Sequence, residues 1–79
     1  MTLTIKYFGL IAEKIGKREE VISLDDEDFD VEALKKFCFS KYKLQDLQAV
    51  QVAVNQSIQR SGPLKNGDEV AFLPPYAGG

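Results

Sequence analysis

Polar and apolar residues alternate over residues 2–8: Leu3, Ile5 and Tyr7 fall on one side, Thr4, Lys6 and Phe8 on the other. A period of two is that of a strand with one buried face. Gly9 interrupts it. Leu10 to Ile15 reads as a short helix, with Ile11 and Ile15 one turn apart and Gly16 as its stop. A second strand is predicted over Arg18 to Leu24, with Val21 bracketed by polar residues and Ile22 and Leu24 on the opposite face. The short link between these strands predicts an antiparallel neighbour pair. The main helix begins at Phe29-Asp30, where Asp30 suits the N-cap and Phe29 can staple onto Leu34. Val31, Leu34, Phe37, Cys38 and Tyr42 recur at spacings of three and four and form its expected buried face. Lys35, Lys36, Lys41 and Lys43 fall on or near the solvent side and late in the helix, where cations suit its dipole. Ala49 to Val54 is a third strand, Asn55-Gln56 a turn, and Ser57 to Gln59 a short fourth strand. Turn signals at Ser61-Gly62-Pro63 and Lys65-Asn66-Gly67-Asp68 precede a last strand over Glu69 to Leu73. Pro74 ends that strand because it has no N–H to give to a ladder.

Strand, strand, helix, strand, short strand, strand is an α+β order. One mixed sheet of about five strands with one main helix across it is the economical solution for so few residues. This is the order of the β-grasp, or ubiquitin-like, fold. The expected division is a β-grasp domain over 1–73 and an extended C-terminal tail over 74–79. In that fold the first and last strands lie side by side and parallel at the sheet centre, and the tail leaves from the end of the last strand. Alternation then predicts a facing. If Val70 and Phe72 join the core, Leu73 points outward, and Phe8 does the same at the end of the first strand. Parallel strands bring their C-terminal ends together, so Phe8 and Leu73 are expected beside the root of the tail. An exposed apolar patch there suggests a partner surface, unless a loop or the first short helix covers Phe8.

Composition narrows the chemistry. Seventy-nine residues, 44% of them hydrophobic, make one domain with enough apolar side chains for a core. No apolar run approaches membrane-spanning length, and the N-terminus lacks the charged and apolar regions of a signal peptide. A single cysteine leaves no internal disulfide, which fits a reducing cytoplasm. With a net charge of −2 and no Lys/Arg cluster, a nucleic-acid backbone is not an expected partner, and neither is a membrane. There is no histidine, so the usual general base near neutral pH is missing and Cys38 has no His to activate it. At its helix spacing with Leu34, Cys38 reads as core rather than as a persulfide site. The acidic run Asp25–Asp28 reads as a solvated loop rather than a cation site, and no metal site is expected. There is no Gly-rich phosphate loop and no resident cofactor site.

What remains is the end of the sequence, Leu73-Pro74-Pro75-Tyr76-Ala77-Gly78-Gly79. A terminal carboxylate on Gly79 is ionised at neutral pH and must be activated before anything is transferred to or from it. The two glycines form a thin tip that fits another protein's active site. Pro74 and Pro75 hold the spacer extended, with a reach of about 18–20 Å from Pro74. A frayed terminus ends in the same way, so the tail alone leaves both readings open.

The chain resembles the small, sulfur-carrying subunits of molybdopterin synthase over nearly its whole length. The resemblance is carried by Tyr7-Phe8 followed by Glu13-Lys14-Ile15-Gly16, by Val31-Glu32-Ala33-Leu34, and by Ala53-Val54-Asn55-Gln56. Above all it is carried by Leu64-Lys65-Asn66-Gly67-Asp68-Glu69-Val70-Ala71-Phe72-Leu73 and the tail Pro74-Pro75-Tyr76-Ala77-Gly78-Gly79. The family pattern has Phe before the prolines and a small or β-branched residue after them; here these are Leu73 and Tyr76. The resemblance implies a non-catalytic, sulfur-donating subunit that holds no permanent cofactor. An activating enzyme uses ATP to adenylate Gly79, and a sulfur donor protein converts the adenylate to a thiocarboxylate. The tail then enters the large synthase subunit, where its sulfur attacks cyclic pyranopterin monophosphate to build the dithiolene of molybdopterin. It also implies partner contacts at Phe8, Ile58 and Leu73. Three other readings share the fold: a sulfur carrier for thiamin thiazole synthesis, a ubiquitin-like protein modifier, and a β-grasp binding module with an inert tail.

Overall fold

The computed structural model describes residues 1–25, 28–44 and 49–74. The elements run β1 (Thr2–Tyr7), α1 (Gly9–Ile15), β2 (Glu19–Ser23), α2 (Val31–Tyr42), β3 (Gln51–Val54), β4 (Ser57–Ile58) and β5 (Glu69–Leu73). They form one five-stranded sheet in the order β2-β1-β5-β3-β4. β1 and β5 are parallel and central, with Ile5 opposite Val70 and Tyr7 opposite Phe72. The remaining pairs are antiparallel. This is the β-grasp arrangement.

The alternation of β1 and β5 translates directly into burial. Leu3, Ile5, Tyr7, Val70 and Phe72 are all buried, and α2 answers them with Val31, Leu34, Cys38 and Phe39. The ring of Phe72 lies 5.9 Å from that of Tyr7 and 6.3 Å from that of Phe39. Aromatic pairs at such tilted or edge-on geometry add to the gain from burial alone. Asp30 caps α2 as predicted, its side chain accepting from the Ala33 amide at 2.7 Å. Gly16 closes α1 in the left-handed region, where an L side chain is strained.

Three expectations change. Phe37, expected on the buried face of α2, is 40% exposed, and Phe39 takes the core position at 6%. At about 100° per residue, Leu34, Cys38, Val31 and Phe39 span an arc of roughly 140°, and Phe37 lies about 60° beyond Leu34. The choice between two phenylalanines two residues apart depends on how α2 is rolled on the sheet. β2 is shorter than Arg18 to Leu24: at Arg18 only the carbonyl bonds, accepting from the Tyr7 amide, and Leu24 bonds in both directions but to Met1, which precedes β1. β3 begins at Gln51, where pairing with Leu73 starts, and β4 ends at Ile58.

Candidate functional site at the root of the tail

β5 delivers the chain to Leu73 and then Pro74 at the sheet centre. Pro74 lies directly against Gly9, the first residue of α1. A Cβ built on Gly9 would stand 3.0 Å from the Pro74 Cγ, and Gly9 has φ +56. Both the close approach and the positive φ select glycine here. The Phe8-Gly9 step therefore starts a helix and makes room for the first residue of the tail.

Phe8 is the N-cap residue of α1, at φ −127 and ψ 154. Those dihedrals are extended, so Phe8 continues the alternation of β1 and shares the face of Thr4 and Lys6. It is 45% exposed, so α1 leaves it open. Leu10, 64% exposed, adds apolar surface next to it. That exposure is legible in the helix spacing that turns Ile11 and Ile15 inward. On β5, Ala71 and Leu73 belong to the same open face. Ala71 lies opposite Lys6 and Ala53, and Ala53 lies opposite Ile58. Phe8, Leu73 and Ile58 are thus brought to one face of the sheet, with Ile58 58% exposed on the edge strand.

Leu73 corrects the simple in–out expectation. It faces outward but is half-buried, because it sits in a central strand with Gln51 beside it on β3. Of the tail residues, Pro74 is described; Pro75, Tyr76, Ala77, Gly78 and Gly79 lie outside the described residues.

The platform is tied down from below by a carboxylate that the sequence reading did not single out. Glu20, on β2, accepts from the Tyr7 hydroxyl at 2.5 Å and from the Tyr42 hydroxyl, and it pairs with Lys41 at 3.5 Å and Lys17 at 3.6 Å. It therefore joins the end of β1 to the end of α2. Partial burial pushes the Glu20 carboxyl up, but the bonds from Tyr42 and Tyr7 and the charges of Lys41 and Lys17 outweigh it and hold it below the usual range. Burial, with the Glu20 bond second, raises the Tyr7 phenol far above its ordinary value.

Cys38 is buried in the core, and burial pushes its thiol up to about 11. A thiol of that kind is a poor nucleophile near neutral pH. Asp25 and Asp28 are exposed, and Asp26 and Glu27 lie outside the described residues. Among the described residues no cluster of acidic, cysteine or histidine side chains could hold a metal ion, and no helix is long and apolar enough to cross a membrane.

The sequence and the fold are shared with known proteins. The ThiS family pattern matches residues 5–79. The chain is 42% identical over 84 residues to the molybdopterin synthase sulfur carrier subunit of Mycobacterium tuberculosis, covering 98% of this chain and 96% of that one. It is 32% identical over 84 residues to the protein of the same name from Caenorhabditis elegans, covering 100% and 99%. Among solved structures, small archaeal modifier protein 1 of Haloferax volcanii superposes with a TM-score of 0.82 over 100% of both chains at 23% identity, a likeness of fold. A chain from the complex of subunits 1 and 2 of the Helicobacter pylori molybdopterin-converting factor superposes with a TM-score of 0.69 at 27% identity, again over 100% of both chains. Matched along almost its entire length in both sequence and fold, this chain belongs to the ThiS family.

Proposed function

We propose that this protein is a sulfur carrier of molybdenum cofactor biosynthesis, with Gly79 as the point of attachment. The observation that carries the reading is the root of the tail. Pro74 leaves the central strand against Gly9, beside Phe8, on an open face that also holds Leu73 and Ile58. Relatives that share the whole chain are named molybdopterin synthase sulfur carrier subunits.

In this reading the domain is a handle and the tail from Pro74 to Gly79 is the working part. The Gly79 carboxylate attacks the α-phosphorus of ATP on an activating enzyme and releases pyrophosphate. Sulfide-level sulfur supplied by a donor protein then attacks the acyl carbon and expels AMP, which leaves a thiocarboxylate. The large subunit of molybdopterin synthase supplies the active site in which that sulfur is passed to cyclic pyranopterin monophosphate. Pro74 and Pro75 space the reacting group away from the domain, Tyr76 and Ala77 continue the tail, and Gly78 and Gly79 let tunnel walls and nucleophiles approach. The carrier itself needs no resident cofactor; ATP belongs to the activating enzyme. The open face with Phe8, Leu73 and Ile58 is the surface for the large subunit.

The direct test is intact-mass analysis after incubation with the activating enzyme, ATP and a sulfur donor. The expected product differs from the starting chain by exchange of one C-terminal oxygen for sulfur. An unchanged mass, or a Gly79 joined to a lysine of another protein, would overturn the proposal. Phe8→Asp tests the docking face. It is expected to weaken binding of the large subunit by about 10- to 100-fold, the scale of a lost apolar anchor. Thermal unfolding should shift little, because Phe8 lies outside the buried core. A collapse in stability instead would show that Phe8 serves the fold.

A further inference from the structure

β2 forms one edge of the five-stranded sheet. β2 is bonded to β1 on one side and, among the described residues, to no strand on the other. Two backbone bonds define its polarity. The Arg18 carbonyl accepts from the Tyr7 amide at 2.8 Å, and the Leu24 amide donates to the Met1 carbonyl at 2.7 Å. In an antiparallel ladder the bonding direction alternates along the strand. Residues 18, 20, 22 and 24 therefore bond inward, and Glu19, Val21 and Ser23 aim their N–H and C=O groups away from the sheet. Natural edge strands are commonly blunted by proline, charged side chains, a bulge or a covering element. Glu19–Ser23 has no proline, and its charges stand at one end: Glu20 is held by Tyr7, Tyr42, Lys17 and Lys41 of its own chain, which leaves Glu19 as the charge on the open edge. Val21, at its midpoint, is 63% exposed.

The sequence around this edge is self-complementary in one register. Only registers that set outward-facing residues against outward-facing residues can form bonds. An antiparallel two-fold pairing centred on Val21 sets Val21 against Val21, Glu19 against Ser23, and Lys17 against Asp25. Every outward amide and carbonyl of the strand then meets a counterpart, apolar side chains meet at the centre, and opposite charges meet at both ends. Centring one residue earlier sets Glu20 against Glu20. Centring one residue later sets Glu19 against Asp25. Like charges directly opposite are unfavourable in a sheet, so both neighbouring registers are penalised. Lys17 already leans toward Glu20 of its own chain at 3.6 Å, and Asp25 from the second chain would add another carboxylate to it.

We propose that the outer edge of β2 is a self-association surface that takes a second copy of this chain, strand against antiparallel strand about Val21. The two five-stranded sheets become one continuous sheet. A five-residue edge buries less surface than a standard stable interface, so the association is weak and concentration-dependent. β2 and β4 are opposite edges of the sheet, so the pairing leaves Ile58 uncovered. The inference is independent of the sulfur-carrier reading.

The test is sedimentation equilibrium of the full chain, with residue-resolved amide exchange, in a concentration series up to about 1 mM, where weak pairs form. The expected result is a monomer–dimer equilibrium in which the amides of Glu19, Val21 and Ser23 gain protection with concentration. Those of Glu20 and Ile22 should be protected throughout. D25K, at an exposed site, should raise the dissociation constant about tenfold, and K17D/D25K should restore it. A monomer at every concentration would overturn the proposal. So would a dimer whose outward amides stay unprotected, or one that D25K does not weaken.

Discussion

Deletion of Gly79 is expected to lower sulfur transfer by at least about 10²-fold while leaving thermal unfolding unchanged, with the same outcome for a residue added after it. Removing one extended residue withdraws the reacting carboxyl by about 3.3–3.6 Å, and a misplacement of even about 1 Å can cost two orders of magnitude in a positioned reaction. An added residue moves the carboxyl the other way and replaces the reacting atoms by an amide. The fold has no comparable stake in the terminus: the described core closes with Phe72, and β5 ends at Leu73. The check is a single-turnover transfer assay beside a thermal melt. Transfer that survives the deletion would remove Gly79 from the chemistry, and a lost fold would make the tail part of the domain.

The largest stability effect is expected at Glu20. Replacing it with alanine removes the acceptor of the Tyr7 and Tyr42 hydroxyls and the partner of Lys41 and Lys17. Tyr7 is 2% exposed, and its remaining polar neighbour is the Cys38 sulfur at 3.9 Å. A hydroxyl left that way keeps its desolvation cost without its bond. The expected loss is about 2–3 kcal/mol, or a fall of roughly 10–20 °C in Tm for a domain of this size. Glu20→Gln, which keeps an acceptor, should lose less.

The same group gives a pH signature. The folded carboxyl titrates below the ordinary glutamate value of 4.5, so the unfolded chain takes up its proton first as the pH falls. The stabilisation is complete above that ordinary value and declines as the pH drops from there through the folded pKa. Acid melts of the wild type and Glu20→Gln should therefore converge as the pH falls. Curves that stay parallel would show that Glu20 acts by packing alone.

Much of this protein is legible in local sequence. The alternation of Thr2–Tyr7 and Glu69–Leu73 gives their buried faces because a strand's side chains must alternate. The extended Phe8 inherits its exposure from the same rule. Asp30 caps α2 and Gly16 closes α1 through bonds and dihedrals set within a few residues. The absence of histidine, a lone core cysteine and the Leu73-to-Gly79 tail also narrow the chemistry at the level of sequence.

Tertiary structure decided what depends on contacts between distant segments. Whether Phe37 or Phe39 enters the core follows from the roll of α2 over the sheet, which a helical spacing of three and four leaves open. Leu73 is outward yet half-covered because β3 lies beside it. Glu20 looks like any surface glutamate in β2 until the fold brings Tyr7 and Tyr42 to it, from 13 and 22 residues away. Gly9 reads only as a strand breaker until Pro74 packs against it. Local pattern encodes which way a side chain points along its own element. What it meets there is set by the packing of the elements, and that packing gathers the apolar face and the root of the tail into one site.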